Sequence, residues 1–301
     1  MDVVTSVQAM QQRALGVKRS GRTLGLVPTM GYLHEGHLSL VALARKRVEV
    51  VILSIFVNPI QFLPGEDLAS YPRDFERDRE LCCQAGVDLV FFPAPSEMYA
   101  ADHSVCVEEA SLSMGLCGAS RPGHFRGVTT VVAKLFNITR PDVAVFGQKD
   151  AQQCRVIQRM VRDLNIPVEV VVGPILREPD GLAMSSRNKY LSPGERQQAL
   201  CLRRSLEAAE ALVRAGERAV PTLQAAVLAI LHGVPGLVID YVAFMDDETL
   251  QPVSRIQRPV LLALAVRIGR TRLIDNTVLG TSSFCFPQVP LKRGTSPLLG
   301  K

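Results

Sequence analysis

The chain has 301 residues, of which 47% are hydrophobic and 21% charged, with a formal net charge of +5. Those values exclude a wholly disordered chain, a collagen-like one and a coiled coil, and the length suits two domains or one large domain with an appendage. No apolar stretch reaches the roughly 20 residues of a membrane span, because the longest candidates, Val48 to Val57 and Val260 to Ile268, carry Glu49 and Arg267.

The first residues, MDVVTSVQAMQQRALG, lack a basic start and an apolar core, so a soluble, cytoplasmic chain without a signal peptide is expected. Helical periodicity from Val7 to Gly16 precedes a short apolar run, Thr23 to Val27. The turn PTMGYLHEGH leads into a helical stretch, Leu38 to Lys46. Val48 to Val57 is a near-continuous run of Val and Ile, as in a strand buried on both faces. A charged amphipathic helix is expected over Pro72 to Ala85, stopped by Gly86. A strand at Val87 to Phe92, a helix at Val128 to Phe136, a strand at Asp142 to Phe146, a helix at Ala151 to Leu164 and a strand at Val168 to Val172 follow. This alternation predicts an α/β fold, a doubly wound parallel sheet of Rossmann-like type over residues 1–176. Such sheets bind ligands beyond the carboxyl ends of their strands.

From Arg177 to Asn188 the chain is polar and turn-rich. Helices are expected at Pro193 to Ala215 and Val220 to His232, then strands at Leu237 to Phe244, Val260 to Ile268 and Arg272 to Val278. This predicts a smaller α+β domain over 177–283, with the boundary near Pro174 to Arg177. Residues 284–301, rich in Ser, Pro, Gly and Lys, are expected to form a disordered tail.

Seven scattered cysteines without a CxxC pair argue against a zinc ribbon or a thioredoxin-like site and for free thiols in a reducing compartment. The charge excess lies wholly beyond residue 176, since basic and acidic residues balance before it. A mildly basic second half suits an anionic substrate or a solvated tail. An RNA-binding module is disfavoured by the 5% aromatic content, the absence of Trp and the lack of basic–aromatic alternation.

Four segments carry chemistry. In Met30 to His37, two histidines three apart at a helix N-terminus can donate to phosphate oxygens, and Gly36 lets the backbone approach a ligand. The same residues could form a metal site or two surface histidines, although a zincin needs i, i+4 spacing. Gly147 to Asp150, again between strand and helix, offers Lys149 to an anion; it could also be an exposed charged turn. Met184 to Arg187 offers adjacent hydroxyls and a guanidinium able to clamp a triphosphate, or merely a helix cap. Asn58 and Gln61, after the Val48 strand, suit a small polar substrate, or simply cap the turn. No nicotinamide-type GxGxxG follows the first strand, so a dehydrogenase is disfavoured.

PTMGYLHEGH, IFVNPIQF, RPGHFRGVTTVVAKLFNITRPDVAVFGQKDAQQ and REPDGLAMSSRNKYLS, in this order, resemble the pantothenate synthetase (pantoate–β-alanine ligase) family. The likeness runs from about Thr23 to Leu279 and includes YVAFMDDETLQPV and GRTRLIDNTVLG. That family belongs to the nucleotidyltransferases with HIGH and KMSKS signatures; His34-Glu35-Gly36-His37 resembles the first and Met184 to Arg187 a degenerate second. The resemblance implies a ligase that forms a carbon–nitrogen bond. ATP and pantoate would give pantoyl adenylate and pyrophosphate, and β-alanine would then displace AMP to give pantothenate.

It further implies that Met30, Gly31, Tyr32, Leu33, His34, Glu35, Gly36 and His37 hold ATP, with His37 as proton donor or phosphate stabiliser and His34 assisting. Gly147, Gln148, Lys149 and Asp150 would bind ATP, with Lys149 on the phosphates. Leu176 would give a backbone contact to adenine or ribose, and Met184, Ser185, Ser186 and Arg187 would close over the triphosphate. Gln61 would touch both pantoate and β-alanine; Gln153 and Asn58 would bind pantoate. Mg2+ would travel with ATP, with no protein cage for the metal, and the chain would form a homodimer without nucleic-acid or membrane partners. Ala151 departs from the aromatic residue common at that position, and the chain beyond about Ser283 has no counterpart in the family. The alternative is a nucleotidyltransferase of the same superfamily acting on another small acid.

Overall fold

The structure, a computed structural model, describes residues 1–280; the tail expected at 284–301 and the last residues of the expected second domain lie outside them. The strands are β1 (Asp2–Val4), β2 (Leu24–Thr29), β3 (Val50–Ile55), β4 (Leu89–Phe91), β5 (Val143–Gly147), β6 (Glu169–Gly173), β7 (Val238–Asp246), β8 (Val260–Ile268) and β9 (Thr271–Leu279). The helices are α1 (Val7–Arg19), α2 (Glu35–Arg45), α3 (Phe75–Gln84), α4 (Pro95–Met98), α5 (Cys117–Ser120), α6 (His124–Thr139), α7 (Ala151–Asp163), α8 (Pro193–Ala199), α9 (Cys201–Arg214) and α10 (Val220–His232).

The first six strands form one parallel sheet in the order β1-β4-β3-β2-β5-β6. Side chains alternate across it, as the two-residue period of a strand requires. Val27, Val51, Leu53, Val143 and Val145 face α2 and α3, while Leu26, Ile52, Ala144 and Phe146 join the core with α1, α6 and α7. Burial on both faces explains the unbroken apolar runs in the sequence. From β2 the chain winds one way through β3 and β4, then returns to β5 and β6, so β2 and β5 flank the point where strand order reverses. They pair only at Gly25–Val143 and Leu26–Ala144. Beyond that pair the two strands form no ladder, and Pro28, which has no N–H to give, lies there. The crevice between the ends of β2 and β5 is where such sheets bind ligands.

The second part is a three-stranded antiparallel sheet, β7-β8-β9, with α9 and α10 packed on one face. Leu261 and Ala263 on the other face belong to the core of the first part, so β8 is buried on both sides.

Three local differences from the sequence reading have physical reasons. β1 is an edge strand of three residues, too short for a periodicity signal. The helix expected over Pro193 to Ala215 is interrupted at Leu200, where ψ is −15°. Most relevant to the site, α2 begins at Glu35 rather than Leu38, because His34 caps it, and His is not among the preferred capping residues.

Candidate active site

The β2–α2 loop is a tight structure held from outside. Gly31 has φ +82°, and a Cβ there would lie 2.9 Å from Ile55 Cγ2 and 3.0 Å from Asp78 Oδ2. Asp78 on α3, 1% exposed, accepts from the backbone N–H groups of Tyr32 and Leu33 at 2.7 Å each. Burial raises its pKa, and those two donors and Arg77 oppose the rise. Arg77 also donates to the Leu33 carbonyl at 2.9 Å.

His34 and His37 form a reciprocal cap. Nδ1 of His34 accepts from the Gly36 N–H at 3.1 Å, and Nδ1 of His37 accepts from the His34 N–H at 3.3 Å. An imidazole that accepts at Nδ1 carries its proton on Nε2 when neutral. Both rings are neutral: burial, helped by the charge of Lys149, lowers His34 to about 4, and burial and the neighbouring His34 hold His37 well below its ordinary value. The rings lie 4.0 Å apart between centroids. The pair therefore presents two Nε2–H donors at the N-terminus of α2 to the cavity it lines, where backbone dipoles favour an anion. Gly36 was expected to admit a ligand. Its tighter constraint is His34, since a Cβ would lie 2.8 Å from the His34 ring.

That cavity, of ≈ 230 Å³, is walled by Met30, His34 and His37 on one side and by Gly147, Lys149 and Gln153 on the other. It adjoins a larger space of ≈ 940 Å³ between the small sheet and the segments around α5 and the start of α7, and Lys149, Gln153, Arg121 and Arg187 line both. Lys149 Nζ lies 3.8 Å from Asp150 Oδ1. Leu176, at the end of the first part, and Met184, in the second, also line the cavity and are joined by a bond from the Met184 N–H to the Leu176 carbonyl.

Several residues expected at the ligand have partners within the protein or lie outside the cavity wall. Gly31, Tyr32, Leu33 and Glu35 are not in the cavity wall; they shape the loop, with Leu33 buried and Glu35 exposed to solvent. Gln148 turns away from the cavity, toward Asn276 of β9 and Arg155 of α7. Ser185 Oγ caps the following turn by accepting from the Arg187 N–H, and Ser186 Oγ donates to the Tyr32 carbonyl at 3.2 Å. Arg187 gives its two parallel bonds to Asp67.

Asn58, in the wall of the same cavity, is held by protein partners as well. It is 1% exposed and fully engaged: Nδ2 donates to Gln61 Oε1 and to the Gly127 carbonyl, both at 3.0 Å, and Oδ1 accepts from Tyr99 at 2.8 Å. It orients Gln61, whose Nε2 lies 3.1 Å from Met30 Sδ.

Sequence reasoning passed over the residues that hold Gln61 from behind. Arg121, His124 and Gly127 recur every third residue through the RPGHFRG segment. His124 Nδ1 donates to the Gln61 carbonyl at 2.8 Å, and Arg121 donates to His124 Nε2 at 2.9 Å and to Glu66 at 2.6 Å. Burial and Arg121 lower His124 to about 4, so it too is neutral. A Cβ on Gly127 would lie 2.6 Å from Gln61 Cα. The spacing of Arg, His and Gly was the available signal, but its target was invisible.

The comparisons with known proteins point to one family. A family model described as pantoate-beta-alanine ligase matches residues 2–278. The pantothenate synthetase of Geobacter sulfurreducens is 57% identical over 280 residues, which cover 93% of this chain and 99% of that relative. That of Thermotoga petrophila is 56% identical with 93% and 100% covered. Among solved structures, a pantothenate synthetase from Thermus thermophilus superposes with TM-score 0.87 at 46% identity, covering 92% of this chain and 99% of that one. A pantoate-beta-alanine ligase from Francisella tularensis, complexed with beta-gamma ATP and beta-alanine, superposes with TM-score 0.76 at 32% identity, covering 92% and 97%.

Proposed function

The chain belongs to the pantoate–β-alanine ligase family, and from that premise we propose how its residues divide the work. The reaction is the ATP-dependent condensation of pantoate with β-alanine to pantothenate, AMP and pyrophosphate. In the first half, a pantoate carboxylate oxygen attacks the α-phosphorus and pyrophosphate leaves. In the second, the β-alanine amine attacks the acyl carbon of pantoyl adenylate, AMP leaves and the amine loses a proton.

The observation that carries the assignment is the neutral pair of His34 and His37 facing Lys149 across the crevice between β2 and β5. Charge grows on the phosphates during adenylation, and donors fixed in advance stabilise it most. For His37 the stabiliser role is favoured over that of proton donor, because burial and the neighbouring His34 hold its pKa well below the ordinary value. Lys149 supplies the full positive charge. Gln61 and Gln153 hold pantoate, and Gln61 also meets β-alanine; Asn58 acts through Gln61. The backbone of Leu176 suits adenine or ribose, and Met184 to Arg187 close over the triphosphate.

Mg2+ enters as MgATP. Among the described residues, Asp150 is the one carboxylate in the wall of the smaller cavity, so phosphate oxygens and water supply most of the metal's ligands. Residues 1–176 bind ATP and pantoate, and those from 177 onward form a cover. A homodimer belongs to the same reading, with the exposed Val105 and Met114 between α4 and α5 as apolar surface for it, as does a cytoplasmic setting, where ATP is supplied. Among the described residues no helix is long and apolar enough to cross a membrane.

The test is ATP–pyrophosphate exchange with magnesium and without β-alanine. Exchange should require pantoate, and β-alanine should then release AMP. Exchange with a different acid would keep the chemistry and overturn the substrate.

A further inference from the structure

β9 reaches from the small sheet to the turn that presents Lys149. Asn276 on this strand is 3% exposed. Its Nδ2 donates to the carbonyls of Gln148 and Lys149, each at 3.0 Å, and its Oδ1 accepts from Gln148 Nε2 at 3.0 Å. Those two carbonyls belong to the peptide units before and after the Lys149 Cα, so one side chain holds both planes that set the direction of the lysine. The turn has little else to hold it: Gln148–Asp150 is a single 3-10 turn, and no side chain caps its start.

The polarity of the chain of bonds is forced. Arg155 NH1 donates to Gln148 Oε1 at 2.7 Å, and a guanidinium can only donate. The Gln148 oxygen therefore faces Arg155, its nitrogen faces Asn276, and Asn276 turns its own nitrogen to the two carbonyls. Arg155 is itself paired with the carboxylate of Asp247, which follows β7. The second part of the chain thus grips the Lys149 turn from both ends of one network.

We propose that Asn276 is a positioning residue for adenylation, fixing the backbone at Lys149 so that the ammonium stands against the triphosphate. This rests on the reading of Lys149 as a phosphate ligand. A purely structural role would instead make Asn276 matter equally whether or not residue 149 is a lysine.

A double-mutant cycle separates the two. Pantoate-dependent pyrophosphate exchange would be measured over ATP concentration for the wild type, Asn276→Ala, Lys149→Ala and the double variant, with thermal unfolding as a check on folding. Lys149→Ala should lower kcat/KM for ATP by about 100-fold or more, and Asn276→Ala by about 10- to 100-fold. In the Lys149→Ala background, Asn276→Ala should cost less than about threefold. Asn276→Ser, which keeps one donor and serves if the alanine variant does not fold, should fall between wild type and alanine and lose its effect in the same background. Equal losses in both backgrounds would overturn the positioning role alone. An unaffected Lys149→Ala would overturn the reading of Lys149, and the inference with it.

Discussion

The Arg187 guanidinium forms two parallel hydrogen bonds with the Asp67 carboxylate, both 2.9 Å, and lies 5.6 Å from the centroid of the Tyr71 ring. Asp67 sits in the loop between β3 and α3, and its neighbour Glu66 is bound by Arg121 on the opposite side. The forked donors that suit a triphosphate are therefore already filled by an anion of matching geometry. On the proposed reading of Arg187 as a triphosphate ligand, MgATP competes with Asp67 for it. Asp67→Asn should lower KM for MgATP about three- to tenfold with kcat little changed, since a neutral amide competes less well than a carboxylate. An increase in KM would mean that Asp67 prepares Arg187 for ATP rather than occupying it.

The two histidines give a test by pH. Burial lowers His34 to about 4 and holds His37 well below its ordinary value, so the exchange rate should show no limb near pH 6.5 that belongs to them. Stability follows with a definite sign. Unfolded histidine titrates near 6.5, so between about pH 4 and 6.5 the unfolded chain binds more protons at His34, His37 and His124 than the folded one does. Their contribution to stability is complete above that window and is lost as pH falls through it. The thermal midpoint should fall accordingly, and less in a His34→Gln variant.

Removing the second donor should be costly to rate. His37→Ala should lower adenylate formation by about two to four orders of magnitude, the usual effect of losing a preorganised donor. Near-normal single-turnover formation of pantoyl adenylate in that variant would sink the assignment.

Asp78 lines neither cavity, yet its loss should be felt at the site. Asp78→Ala would leave the Tyr32 and Leu33 N–H groups buried and unpaired, at about 1–3 kcal/mol each. Denaturant unfolding should report that loss, and KM for ATP should rise as the loop before His34 relaxes. Asp78→Asn keeps the shape but offers only one acceptor oxygen, so it should fall between.

Asn58 and Gln61 should behave as one unit. Gln61→Ala should raise KM for pantoate and β-alanine with ATP affinity little changed. Asn58→Ala should do the same for pantoate, by about tenfold, because it frees the Gln61 amide rather than removing it. Steady-state titration of each substrate checks both, and a selective loss of ATP binding in either variant would contradict the pocket assignment.

How much of the site was legible depended on distance along the chain. The run at Val50–Ile55 announced a strand buried on both faces and that at Val260–Ile268 a strand, and the HxxH, GQKD and SSR segments stood out as turns between periodic elements. Gln61, Gln153 and Lys149 reach the cavity as their segments suggested. Asn58 and Gln148 carry the same kind of amide, but nothing nearby in the chain distinguishes one that faces a ligand from one that is fully paired.

The sequence by itself determined the strand–helix alternation, the parallel sheet, the placement of the reactive segments at strand ends and, through the HxGH and RPGHFRG resemblance, the family. Periodicity and turn chemistry act over a few residues, so they survive in a linear reading. Only the tertiary structure decided which polar groups are free to bind. Asp78 meets Tyr32 across 46 positions, Arg187 meets Asp67 across 120, and Asn276 meets Gln148 across 128. A buried donor or acceptor must find a partner wherever the fold brings one, and that choice, made between distant segments, fixes both the protonation of the histidines and the backbone beneath Lys149.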